Sequence, residues 1–296
     1  MRDLASVAPI AQDFGAVIEA APGEALADLG REAAALLRLL DTSGAVLLRG
    51  FPLNPSWFSG FVDALTARRL TYGGPREKVS DNDEVQLVEP GSGTFGLHCE
   101  LSATPFRPDL CFFGCERPAN RDGETTLADG VRVLAAVSDQ TRALFRSRRV
   151  KYTWRYDAAR WKRMFRIDSA EELHAILDGR PGLTYELRDD GSLSSEFVTD
   201  AIVTRSSAPS SPAFANSLMT VAGPRPGQPF HSTFEDGSLI PDEVREEIRA
   251  AAAALTVPIA WRPHDVLIID NWRVLHGRRA FDDPGRRILA MFGDRA

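Results

Sequence analysis

The chain has 296 residues, 44% of them hydrophobic and 26% charged, with a net charge of −6 and an isoelectric point near 5.5. That balance belongs to a folded globular protein, with enough chain to bury roughly three quarters of its unfolded surface. The negative net charge argues against generic nucleic-acid binding. The three cysteines Cys99, Cys111 and Cys115 are too few, and odd in number, for a disulfide framework. No further ligand completes a zinc site around Cys111 and Cys115, which read as small buried residues on one face of a strand. The opening MRDLASVAPIAQDF has no apolar core and is not a signal peptide. No apolar run reaches the roughly 20 residues that cross a bilayer, so the expected location is the cytoplasm.

Apolar residues at helical spacing predict a first helix over residues 24–40, ended by Thr42-Ser43-Gly44. AVLLRGF at 45–51 reads as a buried strand. Asn54 is a good N-cap and Pro55 suits the first position of a second helix, reaching to about residue 68. Residues 72–96 are rich in Gly, Pro, Asp and Asn and read as a loop that runs into His98 and rims whatever lies there. A strand is expected over 109–115, a turn over 117–123 and extended structure again over 125–127. A charged helical stretch covers 170–177, and a loop rich in Ser and Pro covers 206–212. Pro241 opens a helix to residue 255, with Asp242 and Glu243 matching the helix dipole. Strand alternates with tight turn over 265–270 and 287–292. Short strands, long loops and a helical N-terminal part predict a mainly β fold with helical elaborations (α+β). Its core would be a jelly roll, a double-stranded β-helix, with a pocket at its mouth. No repeat or linker stands out, so residues 1–296 read as one domain.

The chemistry starts at His98-Cys99-Glu100. In a strand, residues two apart share a face, so His98 and Glu100 would project together and Cys99 away. Two imidazoles and one carboxylate can fill one face of an octahedral ion and leave the other open, the arrangement of non-haem Fe(II) enzymes that activate oxygen. By itself H-x-E is weak, because chance supplies it often. The second imidazole must come from elsewhere. His276 follows the buried run VLIID and the turn-forming Asp270-Asn271, but His174, His231 and His264 compete with it. His174 lies in the charged helical stretch, His231 in a loop after Pro229, and His264 at a turn. Further on, Arg286 and Arg287 precede ILAMF and point to opposite faces, so only one can enter a pocket and clamp a dicarboxylate bidentately. The plainer reading is two solvated turn arginines after DDPG.

Residues 142–166 hold ten Lys or Arg against one Asp, with Trp154, Tyr156, Trp161 and Phe165 interleaved. They fit a solvated, lid-like insertion at about 142–200 whose aromatics are core residues. A docking face for an acidic carrier protein is a second reading, and nucleic-acid stacking a third.

Taken jointly, four segments resemble the taurine-dioxygenase (TauD/TfdA-like) family of Fe(II)- and 2-oxoglutarate-dependent dioxygenases. They are GAVLLRGF at 44–51, LHCELSATPFRPDLCFF at 97–113, DGET at 122–125 with LADG at 127–130, and IIDNWRVLHGRRAFDDPGRRI at 268–288. The resemblance implies a clavaminate-synthase-like jelly roll. It implies metal ligation by His98, Glu100 and His276, with Fe(II), 2-oxoglutarate and O2 as cofactors. It also implies that Thr125 and Arg287, eleven positions after the second histidine, hold the distal carboxylate of 2-oxoglutarate. Most members have Asp where Glu100 stands; Glu there resembles the clavaminate-synthase-like branch and the aspartate hydroxylases of peptide-antibiotic pathways. Taurine oxygenases carry a basic residue where this chain has Met291, which argues against taurine. Halogenases of this type lack the carboxylate, so Glu100 argues against halogenation.

The expected reaction couples decarboxylation of 2-oxoglutarate to hydroxylation of an unactivated C–H bond. The expected substrate is a small amino-acid-like or polar acid, free or carrier-bound, in specialised metabolism. Desaturation, epoxidation or cyclisation by the same oxidant is the alternative, and a catalytically silent small-acid binder the third. No nucleic-acid or membrane partner is expected. Asn82, Gln86, Arg278, Arg279 and the 150s to 160s are candidate substrate contacts.

Overall fold

The computed structural model describes residues 7–70, 76–79, 85–88, 91–205 and 211–296. Asn82 lies outside them. Among the described residues the largest sheet runs Ala16–Glu19, Ala45–Arg49, Val266–Asp270, Leu110–Arg117, Arg287–Arg295 and Thr66–Arg69, with Gln86–Leu87 also paired to Arg287–Arg295. A second sheet runs Val257–Ile259, Thr125–Asp129, Val274–Arg278 and Phe95–His98. Phe113, Ile269 and Ala290 of the first sheet share one buried cluster with Leu127, Ile259 and Val274 of the second. Two sheets closed on a common core make the jelly roll, and the helices outside it make the fold α+β.

Strand alternation divides each central strand between two cores. In Val266–Asp270, Leu267 and Ile269 enter the core between the sheets. Val266 and Ile268 face the other way, toward Leu36, Phe58 and Phe61 of the N-terminal helices. Burial on both faces explains why this strand reads as an unbroken apolar run. Cys111 and Cys115, both fully buried, lie on the inner face in phase with Phe113.

Two helix boundaries differ from expectation. The helix predicted over 24–40 is two, Leu26–Gly30 and Ala33–Ser43. Gly30 sits at the break, where a Cβ would lie 3.3 Å from that of Ala64; the missing side chain permits the close approach and weakens helix continuation. The helix starting at Pro55 ends at Leu65 rather than 68, because Thr66, Arg68 and Arg69 pair with Arg295, Asp294 and Gly293 at the edge of the large sheet.

A third sheet, Phe230–Phe234, Val150–Tyr156, Leu193–Thr199 and Leu183–Leu187, carries much of the basic stretch. Around it lie the helices Asp139–Ser147 and Ala158–Phe165. Several of its cations are ion-paired within the chain: Arg142 with Asp139, Arg148 with Asp236, Arg149 with Glu235 and Lys151 with Glu196. Trp161 is buried against Leu173, Leu177 and Leu193, and Trp154 is buried in the sheet. No helix among the described residues is long and apolar enough to cross a membrane.

Candidate metal centre

His98 and His276 stand directly opposite each other on the antiparallel strands Phe95–His98 and Val274–Arg278. Opposed residues share a face, and the two rings lie 4.4 Å apart, centroid to centroid. The pairing needs Gly277: a Cβ there would meet the carbonyl oxygen of Phe95 at 2.6 Å. One donor atom each from His98, Glu100 and His276 falls within 4.8 Å of the others. Nε2 of His276 lies 3.8 Å from Oε2 of Glu100, and Nδ1 of His98 lies 3.0 Å from the carbonyl oxygen of Gly96.

His98 and Glu100 do not meet by strand alternation, as the sequence suggested. The strand ends at His98, and Glu100 lies in the turn that follows, next to Leu101 with φ of 53°. Asn271 holds that turn in place. Fully buried, it accepts from the Glu100 amide at 2.8 Å and donates to the carbonyls of Glu100 and Pro108, each at 2.9 Å. The sequence marks Asn271 only as part of the turn before His276 and not as the residue that holds the Glu100 turn; its place in the DNW segment was the available signal. Asn271→Ala strands these main-chain groups. We expect a loss of about 3 kcal/mol and a melting temperature lower by roughly 5–10 °C, with metal affinity falling roughly 10–100-fold, read by thermal denaturation and metal titration.

Electrostatics favour metal ligation. Burial, and then the neighbouring His98 and Arg76, hold the His276 pKa well below the usual histidine range. Its imidazole is therefore neutral at physiological pH, with a lone pair to give. Its Nδ1 is buried with no hydrogen-bond partner among the described residues. Glu100 is buried, and Nη2 of Arg76 donates to both its oxygens at 2.9 and 3.0 Å. The competing histidines lie elsewhere: His264 accepts from the Leu53 amide at 3.1 Å, His174 meets the Tyr185 hydroxyl at 2.6 Å, and His231 pairs with Thr153 in the third sheet.

A cavity of about 60 Å³ touches the triad and is lined also by Phe113, Thr125, Arg278 and Arg286. Through Val88, Arg278 and Arg286 it adjoins a recess of about 580 Å³. Thr125 is buried, its hydroxyl accepting from the Trp261 indole at 3.0 Å.

Arg287 does not line either space. It pairs with Glu116 and is 42% exposed. Ile288, Ala290 and Phe292 face the core between the sheets, and Arg287, the first residue of the strand, is out of phase with them; Arg286, in the segment just before the strand, lines the cavity. The expectation that Arg287 enters the pocket is therefore corrected to Arg286. Nε of Arg286 donates to the Gly123 carbonyl at 3.1 Å, and burial together with Arg278 brings its pKa down to about 10. It stays protonated at pH 7 as a largely desolvated cation, which an entering carboxylate would relieve.

The model of the taurine catabolism dioxygenase TauD, TfdA family matches residues 6–292. The chain belongs to this family. It is a 2-oxoglutarate-dependent non-haem iron dioxygenase, and the donor set of His98, Glu100 and His276 fits the iron. Dapdiamide synthesis protein DdaC of Enterobacter agglomerans is 27% identical over 270 residues, covering 82% of this dioxygenase and 80% of DdaC. A clavaminate synthase-like protein of Arabidopsis thaliana is 28% identical over 288 residues, covering 85% and 82%. PvcB of Pseudomonas aeruginosa shares the fold, with a TM-score of 0.60 and 17% identity over 100% of this chain and 90% of its own. PvcB is an Fe, alpha-ketoglutarate-dependent oxygenase from an isonitrile synthetic pathway.

Proposed function

We propose that this dioxygenase hydroxylates an unactivated C–H bond of a small amino-acid-like or other polar acid, free or carrier-bound. The observation that carries the reading is the position of the triad. His98 and Glu100 face two spaces at once, the small cavity with Thr125 and Arg286 and a larger one of about 300 Å³ on the other side. That division suits a co-substrate held on one side and a substrate on the other. DdaC, a relative named for dapdiamide synthesis, supports a role in specialised metabolism.

Iron, when bound, supplies the activation of oxygen that no side chain can. The residues do the rest. His98, Glu100 and His276 would hold the ion on one face. Arg286 would bind the distal carboxylate of 2-oxoglutarate as a charge-assisted pair beside the Thr125 hydroxyl. Phe113 and Val88 give the cavity apolar walls, where electrostatic contacts are stronger than in water. The in-chain ion pairs of the basic stretch leave fewer cations for an acidic carrier, which stays part of the proposal as one of two substrate forms.

Anaerobic addition of Fe(II) and then 2-oxoglutarate to the metal-free protein should raise a weak visible charge-transfer band. A well-folded protein that takes up iron but shows no band overturns the reading. Amino and organic acids are then screened for stimulated succinate release. A product heavier by one oxygen marks hydroxylation, and one lighter by two hydrogens marks desaturation.

A further inference from the structure

The space on the far side of the triad has a composition of its own. Trp154, Tyr156 and Phe230 form one wall, with Met164 and Arg160 from the helix Ala158–Phe165. Trp154 stands opposite both Phe230 and Ser195 in the third sheet, so the three side chains share a face. Trp154 and Ser195 are each 3% exposed, and neither the indole N–H nor the Ser195 hydroxyl has a hydrogen-bond partner among the described residues. Buried donors without acceptors are uncommon in native proteins and mark places where something else supplies the acceptor.

Charge points the same way. Glu100 is the only acid lining this space among the described residues. Arg160 sits at its rim with the guanidinium 4.6 Å from the centroid of the Tyr156 ring. No ion pair joins Arg160 to a carboxylate among the described residues, and of the basic residues in 142–166 it is the one that lines this space. A ferrous ion, the Glu100 carboxylate and 2-oxoglutarate together leave one negative charge, which Arg286 cancels. Arg160 then has no acidic partner at this space, and a neutral or cationic substrate would leave it so.

We propose that this space takes a monocarboxylate with an apolar, preferably flat body and a hydrogen-bond acceptor along it. The carboxylate lies on Arg160, the body against Trp154 and Phe230, and the acceptor within reach of the indole N–H. Arg160 is then the residue that selects for charge, and Trp154 the one that positions the body. The inference rests on the dioxygenase reading, because it assigns the substrate side of the same metal centre. At about 300 Å³ the space is at the lower end of ligand pockets, which run from roughly 300 to 1,000 Å³. A substrate of about the size of an acylated amino acid suits it.

The test uses N-acetyl-L-phenylalanine and its uncharged amide as probes of matched shape. Each is titrated calorimetrically into the anaerobic protein loaded with Fe(II) and saturating 2-oxoglutarate, so that Arg286 is already occupied. The acid should bind about tenfold tighter than the amide, the value of one charge-assisted hydrogen bond. Arg160→Gln should erase that difference, and Arg160→Lys should keep part of it. Trp154→Phe should weaken acid and amide alike, by about fivefold. Equal affinities, no binding of either probe, or a preference for the acid that survives Arg160→Gln would overturn the proposal. The charge-transfer band is recorded in the same samples. If it forms while the charge preference is missing, the substrate inference fails alone; if the acid binds as expected but no band forms, the dioxygenase reading fails.

Discussion

Glu100→Ala abolishes 2-oxoglutarate-dependent succinate formation and stoichiometric Fe(II) uptake. Glu100 is the only carboxylate in the ligand cluster found among the described residues, and two imidazoles without it leave the ion with neutral donors alone. The expected loss exceeds the roughly 10–100-fold that follows when a group supporting a ligand is mutated. Alanine also removes the carboxylate that Arg76 grips, so the fold must be checked by circular dichroism. Glu100→Gln separates the two effects: it keeps the volume and an acceptor for Arg76 but not the charge that binds iron. Succinate release and anaerobic iron titration are the measurements. Full turnover in either variant would remove Glu100 from the metal.

Arg286→Gln raises the KM for 2-oxoglutarate by about a hundredfold, the equivalent of about 3 kcal/mol for one partner of a partly buried charge pair. Arg287→Gln changes it by no more than about twofold, because its exposed pair with Glu116 contributes at most about 1 kcal/mol, and that to stability. The contrast between neighbours follows from the phase of one strand. Steady-state kinetics with 2-oxoglutarate varied, together with anaerobic titration of the charge-transfer band, read it directly. A large effect at Arg287 and a small one at Arg286 would return the co-substrate to the position that family spacing assigns.

Where the sequence alone was sufficient, a local pattern had one structural outcome. VLIID read as a buried strand, Asn54-Pro55 as the opening of a helix, and the Gly and Pro of DDPG as a turn. The motif segments, read as a set, were enough for the family and its cofactors. Tertiary structure decided what depends on how distant segments meet. His276 was one of four candidate histidines until strand pairing set it opposite His98. Glu100 reached the cluster through a turn fixed by Asn271, 171 residues away in the chain, rather than through strand alternation. The sequence showed that Arg286 and Arg287 point to opposite faces but not which face was the pocket, because alternation fixes relative direction only. Packing against the second sheet supplied the absolute direction. Within the basic stretch, too, only the folded chain distinguishes cations already paired with Asp236, Glu235 and Glu196 from Arg160 at the rim of the substrate chamber. Charge is a property of composition; its neutralisation depends on which surfaces are brought together.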